Sequence, residues 1–158
     1  MFTNRNIDLL ILALSSFSLL IVYYLEYFLN LEPCILCIYQ RYPYFLAIFL
    51  SLISLILRME SSKRFLPFLL FFTFLISICL SSYHFGIENG FWESLSSCDV
   101  NNLEINNNSE LKNYLLKKDF VSCDAPAFSF LGISLTGYNI LMSLILLALS
   151  GIKINLRD

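Results

Sequence analysis

Cys34 and Cys37 stand three residues apart in the stretch LEPCILCIYQRYPY, and a guanidinium follows at Arg41. A Cys-x-x-Cys pair that is not structural is redox-active or metal-binding. A disulfide across so short a segment removes little unfolded-state entropy, so its value lies in its reactivity rather than in clamping the chain. Zinc needs three or four ligands, and His84 is the only histidine of the chain, so no metal is expected. On a continuous helix Cys34, Cys37 and Arg41 fall at i, i+3 and i+7 and share one face. Arg41 then lies about 6 Å along the axis from Cys37, where its charge stabilises the thiolate that Cys37 becomes when a disulfide opens. The competing reading is an arginine that snorkels to a membrane interface.

A second pair, Cys98 and Cys123, brackets the segment DVNNLEINNNSELKNYLLKKDFVS. Its asparagine cluster from Asn101 to Asn108 reads as polar loop. The following SELKNYLLKKDF places Leu111, Leu115 and Leu116 at helical spacing with lysines between them, a pattern for a short helix lying on a membrane surface. Cys98 and Cys123 are either a structural clamp of this loop or a second redox pair that meets and parts. The fifth cysteine, Cys79, is read as a buried core thiol.

The elements that must carry these residues are membrane spans. Hydrophobic residues make up 58% of the chain and charged residues 14%, against roughly 45–50% and about 25% in soluble domains. Four apolar runs, at about residues 7–28, 35–57, 65–83 and 133–152, each approach the roughly 20 residues of a bilayer crossing. The expected fold is an all-α membrane protein: one integral domain over residues 1–158, a four-transmembrane-helix bundle with external loops at 29–34 and 84–132. The first run is longer than a signal-peptide core and lacks an A-x-A site, so it is read as a retained helix. Pro33 and Pro67 open the second and third runs, where a missing N–H costs nothing. Pro43 lies inside the second and predicts a kink near Tyr39, tolerable in a membrane helix.

Arg5, Arg58, Lys63, Arg64, Lys153 and Arg157 cluster at one side of these spans, and the other side is predominantly acidic. The positive-inside rule then puts both termini in the cytoplasm and all the cysteines but Cys79 at the opposite face, where disulfides persist. A net charge of −2 and the lack of a basic stripe argue against nucleic acid as a partner. His84, at the outer end of the third run, is either a hydrogen-bond or proton donor to a bound acceptor or an ordinary interfacial histidine. Glu26 is expected to face water rather than pair with Arg41. Tyr83, Phe91 and Trp92 suit an interfacial aromatic belt.

Two external pairs make a dithiol relay by thiolate exchange, and something must take the electrons at the membrane end of the second span. The sequence has no haem-attachment or dinucleotide motif. A lipid-soluble quinone needs neither; it needs an apolar slot, a thiolate and a cation for the developing quinol anion.

The arrangement resembles the DsbB family of bacterial inner-membrane disulfide-forming quinone reductases, through EPCILCIYQR, YHFGIENGFW and CDAPAFSFLGISLTGYN. The resemblance implies that a DsbA-like thioredoxin-fold periplasmic protein attacks Cys98, releasing Cys123, and that electrons pass to Cys34–Cys37. Cys37 would then face ubiquinone or menaquinone, aided by Arg41 and with His84 near the headgroup. Gln40 stands where some members carry an acid. The alternatives are a DsbI-like relative dedicated to another partner, a vitamin K epoxide reductase-like enzyme (there the loop pair precedes the Cys-x-x-Cys), and a non-enzymatic membrane protein with structural disulfides.

Overall fold

The computed structural model describes residues 4–56, 60–92, 123, 126 and 128–155. Helix α1 covers Asn4–Phe28, α2 Ile35–Tyr39, α3 Tyr42–Ile56, α4 Glu60–Glu88 and α5 Leu135–Asn155. A two-stranded hairpin, β1 (Ser129–Phe130) and β2 (Ile133–Ser134), precedes α5. Four helical segments are long and apolar enough to cross a membrane: Arg5–Phe28, Ile35–Ile56, Phe65–Glu88 and Leu135–Asn155. The chain is the four-helix membrane protein that its hydropathy predicts.

The spans form a ring. α4 packs most extensively on α5 and α1 on α3, and the α3–α4 and α1–α5 contacts close it. Leu66, Leu70 and Phe74, four residues apart on α4, meet Ile7, Ile11 and Leu19 of α1, Ala47 and Leu50 of α3, and Leu146 of α5 in one core cluster. Ser15, Ser51, Ser77, Ser143 and Ser150 are fully enclosed. Such small side chains let backbones approach in lipid, where packing rather than the hydrophobic effect holds helices together. Phe17, Leu20, Phe45, Phe49, Phe72, Ile76 and Ile145 point outward, a surface suited to acyl chains rather than water. Cys79 is exposed among them, not buried as expected: it lies off the inward stripe of α4 and turns to the lipid side.

The kink expected near Tyr39 is a full break. The backbone N–H of Arg41 bonds the carbonyl of Ile38 at 3.1 Å, and α3 starts afresh with the Tyr44 and Phe45 N–H groups on the Arg41 carbonyl. Pro43 cannot donate to Tyr39, and its ring crowds that carbonyl, so the helix cannot run through. Cys34, Cys37 and Arg41 therefore do not share one helical face: Cys34 caps α2 and Arg41 sits in the turn between α2 and α3.

Helix α4 outlasts the apolar run, continuing past Tyr83 to Glu88. It ends in a Schellman motif: Phe91 N–H reaches the Gly86 carbonyl at 2.8 Å and Gly90 N–H the Ile87 carbonyl at 3.0 Å, with Gly90 at φ 72°. The chain then folds back, and Trp92 donates to the Tyr83 carbonyl at 2.9 Å. A Cβ on Gly86 would meet the Trp92 ring at 2.2 Å, so this return needs glycine. The hairpin before α5 was not expected. Leu131 and Gly132 both have positive φ, the type I′ geometry that matches strand twist, and Ser134 then caps α5 by accepting from Gly137 N–H at 3.2 Å. The run expected to be helical from residue 133 thus begins its helix at Leu135.

Where α1 begins, α5 ends. Lys153 Nζ donates to Asp8 Oδ1 and, at 3.1 Å, to Ser54 Oγ, while Ser54 donates to Asp8 Oδ2 at 2.8 Å. Lys153, assigned from sequence to a basic flank, is instead enclosed in the bundle with Asp8.

Candidate functional site

At the opposite end of the bundle the break in the second span decides the geometry. Cys34, the N-cap of α2, accepts a hydrogen bond on its sulfur from Cys37 N–H at 3.3 Å and donates its thiol proton to Cys37 Sγ at 2.8 Å. Cys123 is fully buried. Its sulfur, the Cys34 sulfur and a ring nitrogen of His84 all lie within 4.8 Å of one another. Residues 34, 84 and 123 are far apart in sequence; only the packing of α2 on α4 and the return of the chain to Cys123 bring them together. The neighbouring Cys123 thiol favours the Cys34 thiolate, but proton sharing with Cys37 and burial outweigh it and push the Cys34 thiol up to about 12. Cys34 thus holds a proton when both residues of the pair are thiols.

These three ligand atoms could share a tetrahedral ion with a fourth donor. A thiolate committed to a disulfide cannot bind a metal, so metal holding and disulfide exchange exclude one another at Cys34.

Cys37 faces the other way. It lines a largely apolar cavity between α1, α3 and α5, walled by Leu19, Val22, Leu25 and Met142, with Gln40, Arg41, Tyr44 and Asn139 at its polar side. Neither Cys34 nor His84 lines this cavity. Arg41 is held over the Tyr23 ring, 5.0 Å from its centroid, and donates to Glu26 Oε2 at 2.6 Å. The expectation that Glu26 faces water is therefore corrected: its side chain is only 25% exposed and forms an ion pair with Arg41. The break at Gln40–Arg41 causes this, because it turns the guanidinium across the cavity mouth toward α1. The Arg41 Nε is buried and finds no hydrogen-bond partner among the described residues, a donor left over beside an apolar slot.

His84 sits behind this cavity, 1% exposed. Gln40 Nε2 meets its Nδ1 at 3.0 Å, Thr136 Oγ1 lies 3.3 Å from the same atom, and Cys34 Sγ is 3.5 Å from its Nε2. Glu88, one turn along α4, accepts from Thr136 at 2.6 Å. Tyr44, Thr136, Glu88 and Asn139 are not singled out by the sequence, and Gln40 is singled out only as a departure from the family pattern. The signal for Gln40 and Asn139 was available, since uncharged polar side chains within apolar runs are costly unless they find partners. Of the sequence-derived site residues, the structure gathers Cys34, Cys37, Cys123, Arg41 and His84 at one end of the bundle. Cys98 and the helix expected over residues 109–120 lie outside the described residues.

The model of the family described as disulfide bond formation protein DsbB matches residues 4–152 of the chain. A protein of Rickettsia prowazekii (strain Madrid E), described as uncharacterized protein RP370, is 32% identical over 153 residues, which cover 94% of this chain and 86% of that protein. No solved structure matches the chain.

Proposed function

The chain belongs to the DsbB family of disulfide bond formation membrane proteins, and from that premise we propose that it is a thiol:quinone oxidoreductase. It reoxidises a DsbA-like thioredoxin-fold dithiol protein at the periplasmic face of the bacterial inner membrane, with both of its own termini in the cytoplasm. The observation that carries this reading is the placement of the sulfurs. Cys123 lies beside Cys34, Cys34 beside Cys37, and Cys37 alone of the three opens on the apolar cavity.

The steps follow from that order. A donor thiolate attacks Cys98 of a Cys98–Cys123 disulfide, and the electron pair leaves on Cys123. The Cys123 thiolate attacks Cys34 of a Cys34–Cys37 disulfide; the Cys34–Cys123 bond forms and the electron pair leaves on Cys37. Attack at Cys34 rather than Cys37 is favoured by contact, since Cys34 is the buried sulfur next to Cys123. The electron pair thus reaches Cys37 at the cavity, which would hold the electron acceptor, a quinone, ubiquinone or menaquinone. Arg41 holds its charge at that mouth, and its partnerless Nε is a donor suited to a developing oxyanion. The second donor thiol then closes the donor disulfide and frees Cys98; Cys98 attacks Cys123, which re-forms Cys98–Cys123 and expels Cys34. Cys34 and Cys37 are then a reduced pair, and the quinone takes their two electrons and two protons as the Cys34–Cys37 disulfide re-forms. The net reaction converts a dithiol and a quinone into a disulfide and a quinol.

The test is anaerobic quinol formation by the purified full-length protein with a reduced thioredoxin-like dithiol as donor. Donor-dependent quinol supports the reading; none from folded protein removes it. Two variants sharpen the assay. Cys98→Ser is expected to keep Cys34–Cys37 reactive toward quinone with a small dithiol while blocking entry from the protein donor. Transfer from that donor at the wild-type rate would show the relay order to be wrong. Arg41→Lys keeps the charge but cannot stack on Tyr23, reach Glu26 and offer Nε together. Losing one charge-assisted hydrogen bond predicts an apparent quinone requirement raised about tenfold. An unchanged requirement would return Arg41 to an interfacial anchor.

A further inference from the structure

Behind the Cys34 sulfur, buried and half-buried polar groups from the turn after α2 and from α3, α4 and α5 form a hydrogen-bonded chain whose direction can be worked out. We propose that this chain holds His84 as its Nε2–H tautomer, so that a neutral imidazole N–H receives the Cys34 thiolate each time a Cys34–Cys123 bridge opens. The bridge itself rests on the relay described above.

A neutral imidazole has one donor and one acceptor nitrogen, and which is which follows from its partners. The argument starts at Ser81, far from the sulfurs. Its hydroxyl donates to the Ser77 carbonyl at 2.8 Å, so its oxygen is left to accept. The Asn139 atom 2.7 Å from that oxygen must therefore be Nδ2. This orientation turns Asn139 Oδ1 to the Tyr44 hydroxyl, which donates to it. It also leaves the second amide proton for Gln40 Oε1 at 3.0 Å. With Oε1 accepting, Gln40 presents Nε2 to His84 Nδ1 at 3.0 Å, and Nδ1 has to accept. The ring proton is then on Nε2, the atom 3.5 Å from Cys34 Sγ.

Two neighbours bear on the same choice. Thr136 Oγ1, whose proton goes to Glu88, lies 3.3 Å from Nδ1 and pulls toward the other tautomer, at the longer distance. Glu88 Oε1 lies 3.7 Å from Nε2 and favours a proton there. Further into the bundle, Ser143 Oγ joins the Tyr44 hydroxyl at 3.2 Å and Ser77 Oγ at 2.9 Å, extending the series behind Asn139. Aligned head to tail, such bonds polarise one another toward the terminal donor.

Cys34 needs that donor. It is 4% exposed, so water does not solvate a thiolate formed on it, and the stability of the leaving thiolate sets the exchange rate. When a thiolate attacks Cys123 of the bridge, a new bond forms at Cys123, the Cys34–Cys123 bond breaks, and the electron pair stays on Cys34. No proton moves, and the exchange involves no net oxidation. The N–H groups of Cys37 and His84 stabilise the charge. Gln40 and Asn139 do not touch the sulfur and act as positioning residues.

His84 is the only histidine, so full-length protein carrying isotope-labelled histidine in lipid nanodiscs gives a single imidazole in nitrogen NMR. In the wild type, at a pH where the ring is neutral, the proton is expected on Nε2. Asn139→Leu frees the Gln40 amide to rotate and should give a mixture of tautomers. Gln40→Glu, nearly the same size, offers only acceptors as a carboxylate and should place a proton on Nδ1. It keeps the test available if Asn139→Leu does not fold. In a Cys37→Ser/Cys98→Ser background, opening of the Cys34–Cys123 bridge by dithiothreitol should slow when Asn139→Leu is added, in step with the lost fraction of Nε2–H ring and up to about tenfold, the loss of one charge-assisted hydrogen bond. Three results would each overturn the inference: an Nδ1–H wild type, a tautomer unmoved in both variants, or an unchanged opening rate. Failure of the relay reading looks different: no donor-dependent quinol, with the tautomer and the opening rate still behaving as stated.

Discussion

Cys37→Ser is expected to abolish quinone reduction and to leave the protein cross-linked between Cys34 and Cys123. Cys37 is the sulfur that meets the apolar cavity, whereas Cys34 is turned away from it toward Cys123 and His84. A serine hydroxyl at the cavity wall has neither the acidity nor the nucleophilicity of a thiolate, so the last transfer has no carrier. The Cys34 thiol, deprived of its neighbour, exchanges with a Cys98–Cys123 disulfide: the Cys34–Cys123 bond forms, the Cys98–Cys123 bond breaks, and Cys98 is left as a thiol. Turnover should fall below detection, and peptide mapping after alkylation under acid quench should find the new cross-link. Retained quinol formation would place the exit elsewhere. A Cys34 that alkylates fully, with no cross-link, would separate Cys123 from the relay.

Lys153→Met should produce the largest loss of stability. It leaves Asp8 enclosed at the junction of α1, α3 and α5, with Ser54 as its remaining partner. Breaking a buried ion pair from one side costs about 3–5 kcal/mol, because the surviving charge stays desolvated. Replacing both members by apolar residues removes the charge with its partner and often costs little. The midpoint of unfolding in dodecyl sulfate should therefore drop sharply for Lys153→Met and recover most of the way in Asp8→Leu/Lys153→Leu. Equal losses in the single and double variants would mean that the pair is not coupled.

The chemistry was legible where it is covalent or local. The Cys34–Cys37 spacing, a distortion at Pro43 and the presence of four spans are properties of neighbouring residues; that the distortion is a full break is not. Other features were misread for a physical reason. Glu26 looked like a water-facing acid because nothing in its own run identifies a partner; the partner is Arg41, and the turn that aims Arg41 at it exists only because the second span breaks. Cys79 looked like a core thiol because thiols are usually buried, and its outward position follows from which face of α4 meets α5 and α3. Lys153 looked like a flanking charge because its carboxylate lies at the other end of the chain, at Asp8. Gln40 read as a departure from a family pattern, and in the structure it joins His84 to Asn139.

Composition and periodicity alone determined a four-span membrane protein with a Cys-x-x-Cys pair at one end of its second span, since burial in lipid acts on residue type and short-range spacing. The tertiary structure decided which sulfur faces which. Cys34 meets Cys123, and Cys37 meets the cavity, because α2 stops after five residues and packs on α4. No spacing along the chain encodes a contact made by residues 34, 84 and 123 from three separate segments; that contact exists only once the helices have packed.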